Sequence, residues 1–420
     1  MKNLPFSRFY DFSVLLIIVV SVLLPKLVAL TFGIWFLTII FGFVKKEIRI
    51  IKPNFLSILF WLLFMSYLIG VIWTNHSDVA FKYIEYKLSL LIIPLLFIFQ
   101  PKEAINRKKL MLGFIVSVGL LGVYSFIQSL FQSPLTLDSV TSVYFSTIHH
   151  PTYFSAYAFL AMAMSVQQLH SQIVFKKRLF WAVVAVIFIA IQFLCLSLAG
   201  LLLLMLFVAV YGVYLIKCKF GKIGIWASIA IVPLVMYFSV QFVPGFKTQF
   251  KGSKLYFMEY LNDPITFVKT KKTYLGGDET RLILWTASVQ EIKKHPFGVG
   301  TGNLDDHLAA QLQHLTHYEM AEKKYNPHNQ FFQTALEVGI PSALLILIII
   351  GWCFIQGLVK KEFLLVVLSL NLLINCLFES MLQRQSGIVF YVLWLMILSI
   401  YLSNKHEEKG SSTENDTVVL

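Results

Sequence analysis

The run Asn326-Pro327-His328-Asn329 stands immediately before one of the most apolar stretches of the chain. Imidazole accepts a proton near neutral pH, which makes His328 a candidate general base. Asn326 can cap a helix and Pro327 suits its first position, so His328 is expected in a first turn. There the positive end of the helix disfavours imidazolium, and exposed backbone N–H groups attract phosphate. The alternative role for such a histidine is an interfacial anchor. Arg281 is the second candidate, in "DETRLILWTASVQEIKKHPFGVG" (278–300). It falls in the first turn of an expected helix, where the dipole disfavours a cation. Either it pairs with Asp278 or Glu279, or it binds an anionic ligand. Lys293, Lys294 and His295 close the same helix, as compensation for its dipole or as substrate contacts. Asn329 and His150, the latter in "STIHHPTYFSAYAFLAM" (146–162), are the remaining candidate contacts.

Other patterns are weaker. "GVGTGN" (298–303) looks like a phosphate loop, but no strand precedes it, and its glycines suit a tight turn against a helical bundle. His307, His314 and His317 fall on one broad helical face, with a spacing that matches no metal-ligand pattern. Cys195, Cys218, Cys353 and Cys376 lie in or beside apolar segments and read as packing residues. No metal and no cofactor are expected.

The elements that must position these residues are helices in a bilayer. The chain is 57% hydrophobic and 14% charged, with mean hydropathy +0.73. Repeated apolar runs of about 18 residues or more indicate spanning helices. They are too long and unalternating for barrel strands. Twelve spans are expected, near 12–24, 27–44, 54–73, 84–99, 110–131, 153–170, 179–197, 200–216, 223–243, 338–357, 363–380 and 386–403. Lys and Arg cluster in alternate connections, at 45–52, 102–109, 176–178, 217–222 and 360–361, and at both ends of the chain. The short connections on the other side hold only Lys26, Lys82, Lys87 and Arg384. By the positive-inside rule both termini are cytoplasmic. Merging the first two spans across Pro25 would spoil the alternation. The net charge of +13 is therefore a topology signal, and nucleic acid is not an expected partner. The expected organisation is all-α: a nine-span region (1–243), a large partly helical extracytoplasmic loop (244–337), three further spans (338–403) and a disordered cytoplasmic tail (404–420). Leu282, Ile283, Val289 and Ile292 give the loop an apolar helical stripe, suited to the membrane surface or to docking on the bundle.

With these residues in place the chain resembles the O-antigen ligase and O-antigen polymerase superfamily of bacterial integral membrane glycosyltransferases. The resemblance rests on "TRLILWTASVQEIKKHPFGVGTGN", on "NPHNQFFQTALEVGIPSALLIL", and on twelve spans with a large outer loop late in the chain. It implies transfer of a glycan from undecaprenyl pyrophosphate, on the outer face of the cytoplasmic membrane, without metal and with inversion. The acceptor would be lipid A–core sugar in a ligase, or another repeat unit in a polymerase. The family's loop arginine falls on Arg281 and its essential histidine on His328. Where the family has Ser-Arg at the start of a mid-chain span, this chain has Ala199-Gly200. Lys82, Lys87, Lys293 and Lys294 are the alternative cations. A transporter is the more distant reading, and Asn371, Asn375 and Glu379 on one face of the eleventh span would be its polar lining.

Overall fold

A computed structural model describes residues 5–131, 136, 138–212, 255–271 and 278–415 of the protein. Among the described residues eighteen helices run in chain order: α1 (Phe6–Leu23), α2 (Val28–Val44), α3 (Phe55–Ile69), α4 (Ser77–Leu96), α5 (Arg107–Leu130), the short α6 (Ser142–Phe145), α7 (Pro151–Ser171), α8 (Phe175–Cys195) and α9 (Leu198–Gly212). They continue with α10 (255–262), α11 (Pro264–Thr270), α12 (Asp278–Lys294), α13 (Leu304–His314), α14 (Tyr318–Glu322), α15 (Gln330–Val338), α16 (Ile340–Val359), α17 (Phe363–Phe378) and α18 (Gln385–Asn415). Five of the described helices are long and apolar enough to cross a membrane, and four more are shorter and apolar. The protein is an all-α integral membrane protein. A described helix coincides with each expected span except the ninth (223–243), which lies outside the described residues, as does Cys218. The other three cysteines are buried and free.

Proline 25 makes a turn, as the charge pattern required. A 3-10 turn at Pro25–Leu27 separates α1 from α2. The two helices then run back along each other, with the Tyr10 and Trp35 rings edge-on at 5.9 Å and Phe6 6.2 Å from Phe41. Helix α7 runs through the centre. Its small residues Ser155, Ala156, Ala158, Ala161, Ala163 and Ser165 are fully buried, which lets neighbouring helices approach closely. Asn371 donates to the Ala156 carbonyl at 2.9 Å and accepts from Tyr391 at 3.2 Å, while Asn375 donates back to Asn371. Asn371 thereby pins α17 to α7 and α18.

The connections sort to two ends of the bundle. At one end the strands β1 (Ile48–Ile50) and β2 (Phe99–Pro101) pair antiparallel, Ser7 bonds Glu103, and Arg107 forks onto Glu362. This end gathers the basic connections 45–52, 102–109 and 360–361. At the other end His149 bonds the Val22 carbonyl at 2.8 Å, and Asn303 accepts from the Thr74 hydroxyl and the Asn75 N–H.

Helices α11 to α15 carry a second apolar core of their own. Phe267, Ile283, Leu284, Leu308, Leu312 and Leu336 are buried together in it. The Leu282/Ile283 stripe thus docks on protein, and Val289 is left at the exposed edge. The turn 296–303 fastens this core to the bundle. Val299 N–H donates to the Leu336 carbonyl at 2.7 Å, Thr301 N–H to the Gly70 carbonyl at 3.0 Å and Thr301 Oγ1 to the Tyr67 carbonyl at 2.7 Å. Gly298 sits at φ +86°, and a Cβ there would lie 2.6 Å from Gly339 N and 2.7 Å from the Glu337 carbonyl. Gly298→Ala is therefore expected to destabilise the protein by about 1–3 kcal/mol. A lowered thermal midpoint in detergent checks this; an unchanged midpoint contradicts it. Helix α18 continues past the last expected span to Asn415; extending a formed helix needs no new nucleus.

Candidate functional site

Helix α15 begins three residues later than the sequence indicates. Its N-cap is Asn329, whose Oδ1 accepts from Phe331 N–H at 2.9 Å and Phe332 N–H at 3.1 Å. The Asn329 Nδ2 donates to the Leu377 carbonyl at 3.1 Å. Both ends of this buried amide are thus engaged in joining α15 to α17. His328 precedes the cap in a left-handed conformation (φ +47°), held by the Asn326 side chain, which accepts the His328 N–H at 2.9 Å. The expectation that Asn326 caps the helix and His328 sits in its first turn is corrected. The nearest charge to the imidazole is a carboxylate, not a helix end: His328 Nδ1 lies 3.2 Å from Glu379 Oε2.

Glu379 ends α17 and opens the turn 379–384, which packs under the histidine. Its other oxygen accepts the Ser380 N–H at 3.0 Å. A buried polar network braces the turn from behind. Gln330 Oε1 accepts the Leu382 N–H at 2.6 Å, and Lys87 Nζ donates to the Leu382 carbonyl at 3.1 Å and to Gln383 Oε1 at 2.7 Å. Gln383 and Gln333 both donate to Glu337 Oε1 at 2.7 Å. Burial pushes the Glu337 carboxyl upward, against the opposing field of Lys87 and the two amide donors. The network leaves the main chain of 379–384 little freedom, so the carboxylate meets His328 in a fixed direction.

Arg281 reaches the site by helical phase. Trp285 is one turn further along α12, on the same face, and its indole N–H donates to the Pro327 carbonyl at 3.1 Å. The Trp285 ring also meets Phe332 edge-on at 6.1 Å. This pair of contacts clamps the Arg281 helix onto the His328 loop. His150 approaches from α7, capping that helix through Nδ1. Tyr153, one turn on, donates to the Ser380 carbonyl at 3.1 Å. Desolvation by the surrounding protein lowers the His150 imidazole below its ordinary range; Glu379 opposes this, while Arg384, His328 and Arg281 add to it. One imidazole therefore lies within the fields of four charged or ionisable side chains contributed by α12, the 328 loop and the 379–384 turn.

The structure gathers Arg281, His328 and His150 and adds two residues that motif reading does not supply. Glu379 belongs with His328 instead of with Asn371 and Asn375. Arg384 is an exposed cation on the same turn. The other expected contacts have different partners. Lys294 donates to Glu291 at 3.0 Å and to Gln311 at 2.6 Å; His295 faces Glu291 at 3.5 Å; Lys293 is exposed. Lys87 is fully buried, and its ammonium sits 4.2 Å over the Tyr67 ring. At the Ala199-Gly200 position a Cβ on Gly200 would collide with Ser155 of α7, so close helix packing accounts for the glycine there. The histidines 307, 314 and 317 do not share one helical face, because α13 ends at His314 and His317 bonds the Val268 carbonyl at 2.6 Å.

Comparison with known proteins adds one positive finding. The O-antigen ligase family profile matches residues 183–347, a span that contains Arg281, Trp285, His328 and Asn329. No individual curated protein matches the chain. That matched stretch, which carries residues that converge around His328, is similar to the O-antigen ligase family.

Proposed function

We propose that the protein is a ligase-type glycosyltransferase that moves a glycan from undecaprenyl pyrophosphate to an acceptor sugar on the outer face of the cytoplasmic membrane. The observation that carries the reading is the His328–Glu379 pair, with His150 in the fields of Glu379, Arg384, His328 and Arg281. A carboxylate accepts only a donated hydrogen, so in the neutral imidazole of His328 the hydrogen sits on Nδ1 and the lone pair on Nε2. Nε2 then takes the proton of the acceptor hydroxyl as its oxygen attacks the anomeric carbon. The bond from that carbon to the diphosphate oxygen breaks, with inversion, and undecaprenyl diphosphate leaves. The guanidinium of Arg281 meets the negative charge that develops on the leaving group, in two parallel hydrogen bonds. Arg384 supplies the second cation that the family carries at the position held here by Ala199-Gly200. His150 completes the sugar or diphosphate contacts.

The sorting of connections supports the orientation. The end with the paired strands holds the basic clusters and faces the cytoplasm; the end with His328 faces outward. Transport is the weaker reading, because Asn371 is engaged in hydrogen bonds to α7 and α18 and Asn375 in one back to Asn371.

The test is purified full-length protein given undecaprenyl-pyrophosphate-linked glycan and lipid A–core. The expected products are a core bearing glycan of inverted anomeric configuration and an equal amount of undecaprenyl diphosphate. Lengthened glycan still on undecaprenyl would make the protein a polymerase. A donor that is relocated but never cleaved would refute transfer.

A further inference from the structure

Glu291, His295 and His307 form a cluster apart from the His328 pair, and its ligand atoms all lie within 4.8 Å of one another. We propose that these three side chains bind a divalent transition cation of the zinc type, which clamps α12 to α13. The set has the composition of a three-ligand zinc site: one carboxylate and two imidazoles, with the fourth position open to water. Its dimensions also fit. Ligand atoms about 2.0–2.1 Å from zinc at tetrahedral angles stand about 3.3 Å apart. Glu291 Oε1 is 2.9 Å from His307 Nδ1 and 3.5 Å from His295 Nε2, so two edges of the tetrahedron are already near their final length. The third closes by a small rotation of imidazole rings whose centroids are 5.3 Å apart and nearly perpendicular.

The burial pattern suits entry from solution. The Glu291 side chain is only 6% exposed, whereas His295 and His307 are 42% and 34% exposed and form the mouth. Glu291 lies in the last turn of α12, and His295, four residues on, directly follows the helix with its N–H still bonded to the Glu291 carbonyl at 3.0 Å, which brings the two side chains to one side. The second carboxylate oxygen is already directed by Lys294 at 3.0 Å, itself anchored on Gln311 of α13. That ammonium neutralises the carboxylate when no ion is bound and opposes a second positive charge beside it. On binding, His307 takes the tautomer with its hydrogen on Nε2, exchanged through water, so that Nδ1 and the Glu291 oxygen both become ligands.

The site has a clear mechanical consequence. His295 and His307 bracket the glycine turn 296–303, which fastens the loop core to α3 and α15. An ion joining them closes that turn into a ring and fixes α12, and with it Arg281, on the bundle. The clamp is structural, independent of the transfer chemistry, and needs no metal in the bond-making step.

The experiment uses full-length, tag-free protein in detergent, stripped with chelator and then offered zinc or cobalt alone. Wild-type protein is expected to retain about one zinc per chain, to gain the visible bands of four-coordinate cobalt, and to melt at higher temperature with zinc. His295→Ala and His307→Ala should each weaken zinc binding more than about tenfold. His314→Ala, at an exposed histidine outside the cluster, should bind as wild type. Lys294→Met removes the ammonium that competes for Glu291 and should bind zinc several-fold more tightly, a gain that misfolding cannot produce. Wild-type protein that retains no zinc, equal retention by the two cluster alanine variants, or no tightening in Lys294→Met would each overturn the proposal.

Discussion

His328→Ala is expected to lower glycan transfer by about a hundred- to ten-thousandfold, the range that a positioned general base contributes. Both protein level and membrane insertion should be unchanged, because among the described residues the ring's polar contact is with Glu379 and the α15 cap is carried by Asn329. Donor binding should survive, so kcat falls and the KM for the lipid-linked glycan moves little. Glu379 acts through the histidine as a positioning residue. Glu379→Leu removes the acceptor for Nδ1 and should cost on the order of a hundredfold in kcat through misdirection of the ring. Glu379→Gln can still accept through its amide oxygen and should recover part of that loss. A purely structural role for Glu379 predicts equal losses in both variants with reduced protein level. Transfer by His328→Ala at the wild-type rate would remove the base from the mechanism.

The sequence makes the bundle legible and leaves the site half-hidden, for physical reasons that differ residue by residue. Apolar runs and the alternation of Lys and Arg report directly on lipid burial, so α1 to α5 and α16 to α18 fall where hydropathy puts them. The turn at Pro25 is readable because proline and charge agree. Arg281 and His328 are readable through local motif and family resemblance. Glu379 is not, because hydropathy alone extends the eleventh span to residue 380, whereas α17 ends at Phe378 and the next residue turns outward in an extended conformation. Its pairing with His328 joins positions 51 apart in the chain, and no local pattern encodes that. Asn329 is misread for a subtler reason. Asn326 and Asn329 are both good caps, and only tertiary contact with the Leu377 carbonyl decides between them. The metal-like cluster escapes in the same way: His307 looks toward His314 along the chain, but the fold turns it toward Glu291 on another helix.

Arg281→Ala is expected to lower kcat about a hundred- to a thousandfold, the usual loss when one preorganised donor to a developing charge is removed. The diphosphate is already charged in the bound donor, so the split between kcat and KM is informative. If the guanidinium grips the diphosphate equally before and during bond cleavage, KM rises and kcat holds. If it meets the charge that grows as the anomeric carbon–oxygen bond breaks, kcat falls and KM changes less. The fixed placement of α12 favours the second outcome, since Trp285 locks the helix to the Pro327 carbonyl before any substrate arrives. Arg281→Lys keeps the charge but loses the fork, and should stay well below wild type while exceeding the alanine variant. Trp285→Phe separates scaffold from chemistry. It keeps the ring contact with Phe332 but removes the hydrogen bond to the 328 loop, so its loss should be smaller than that of Arg281→Ala. A rate unchanged in Arg281→Ala, in protein that inserts normally, would mean that the leaving diphosphate is held by other cations, with Arg384 the first to examine.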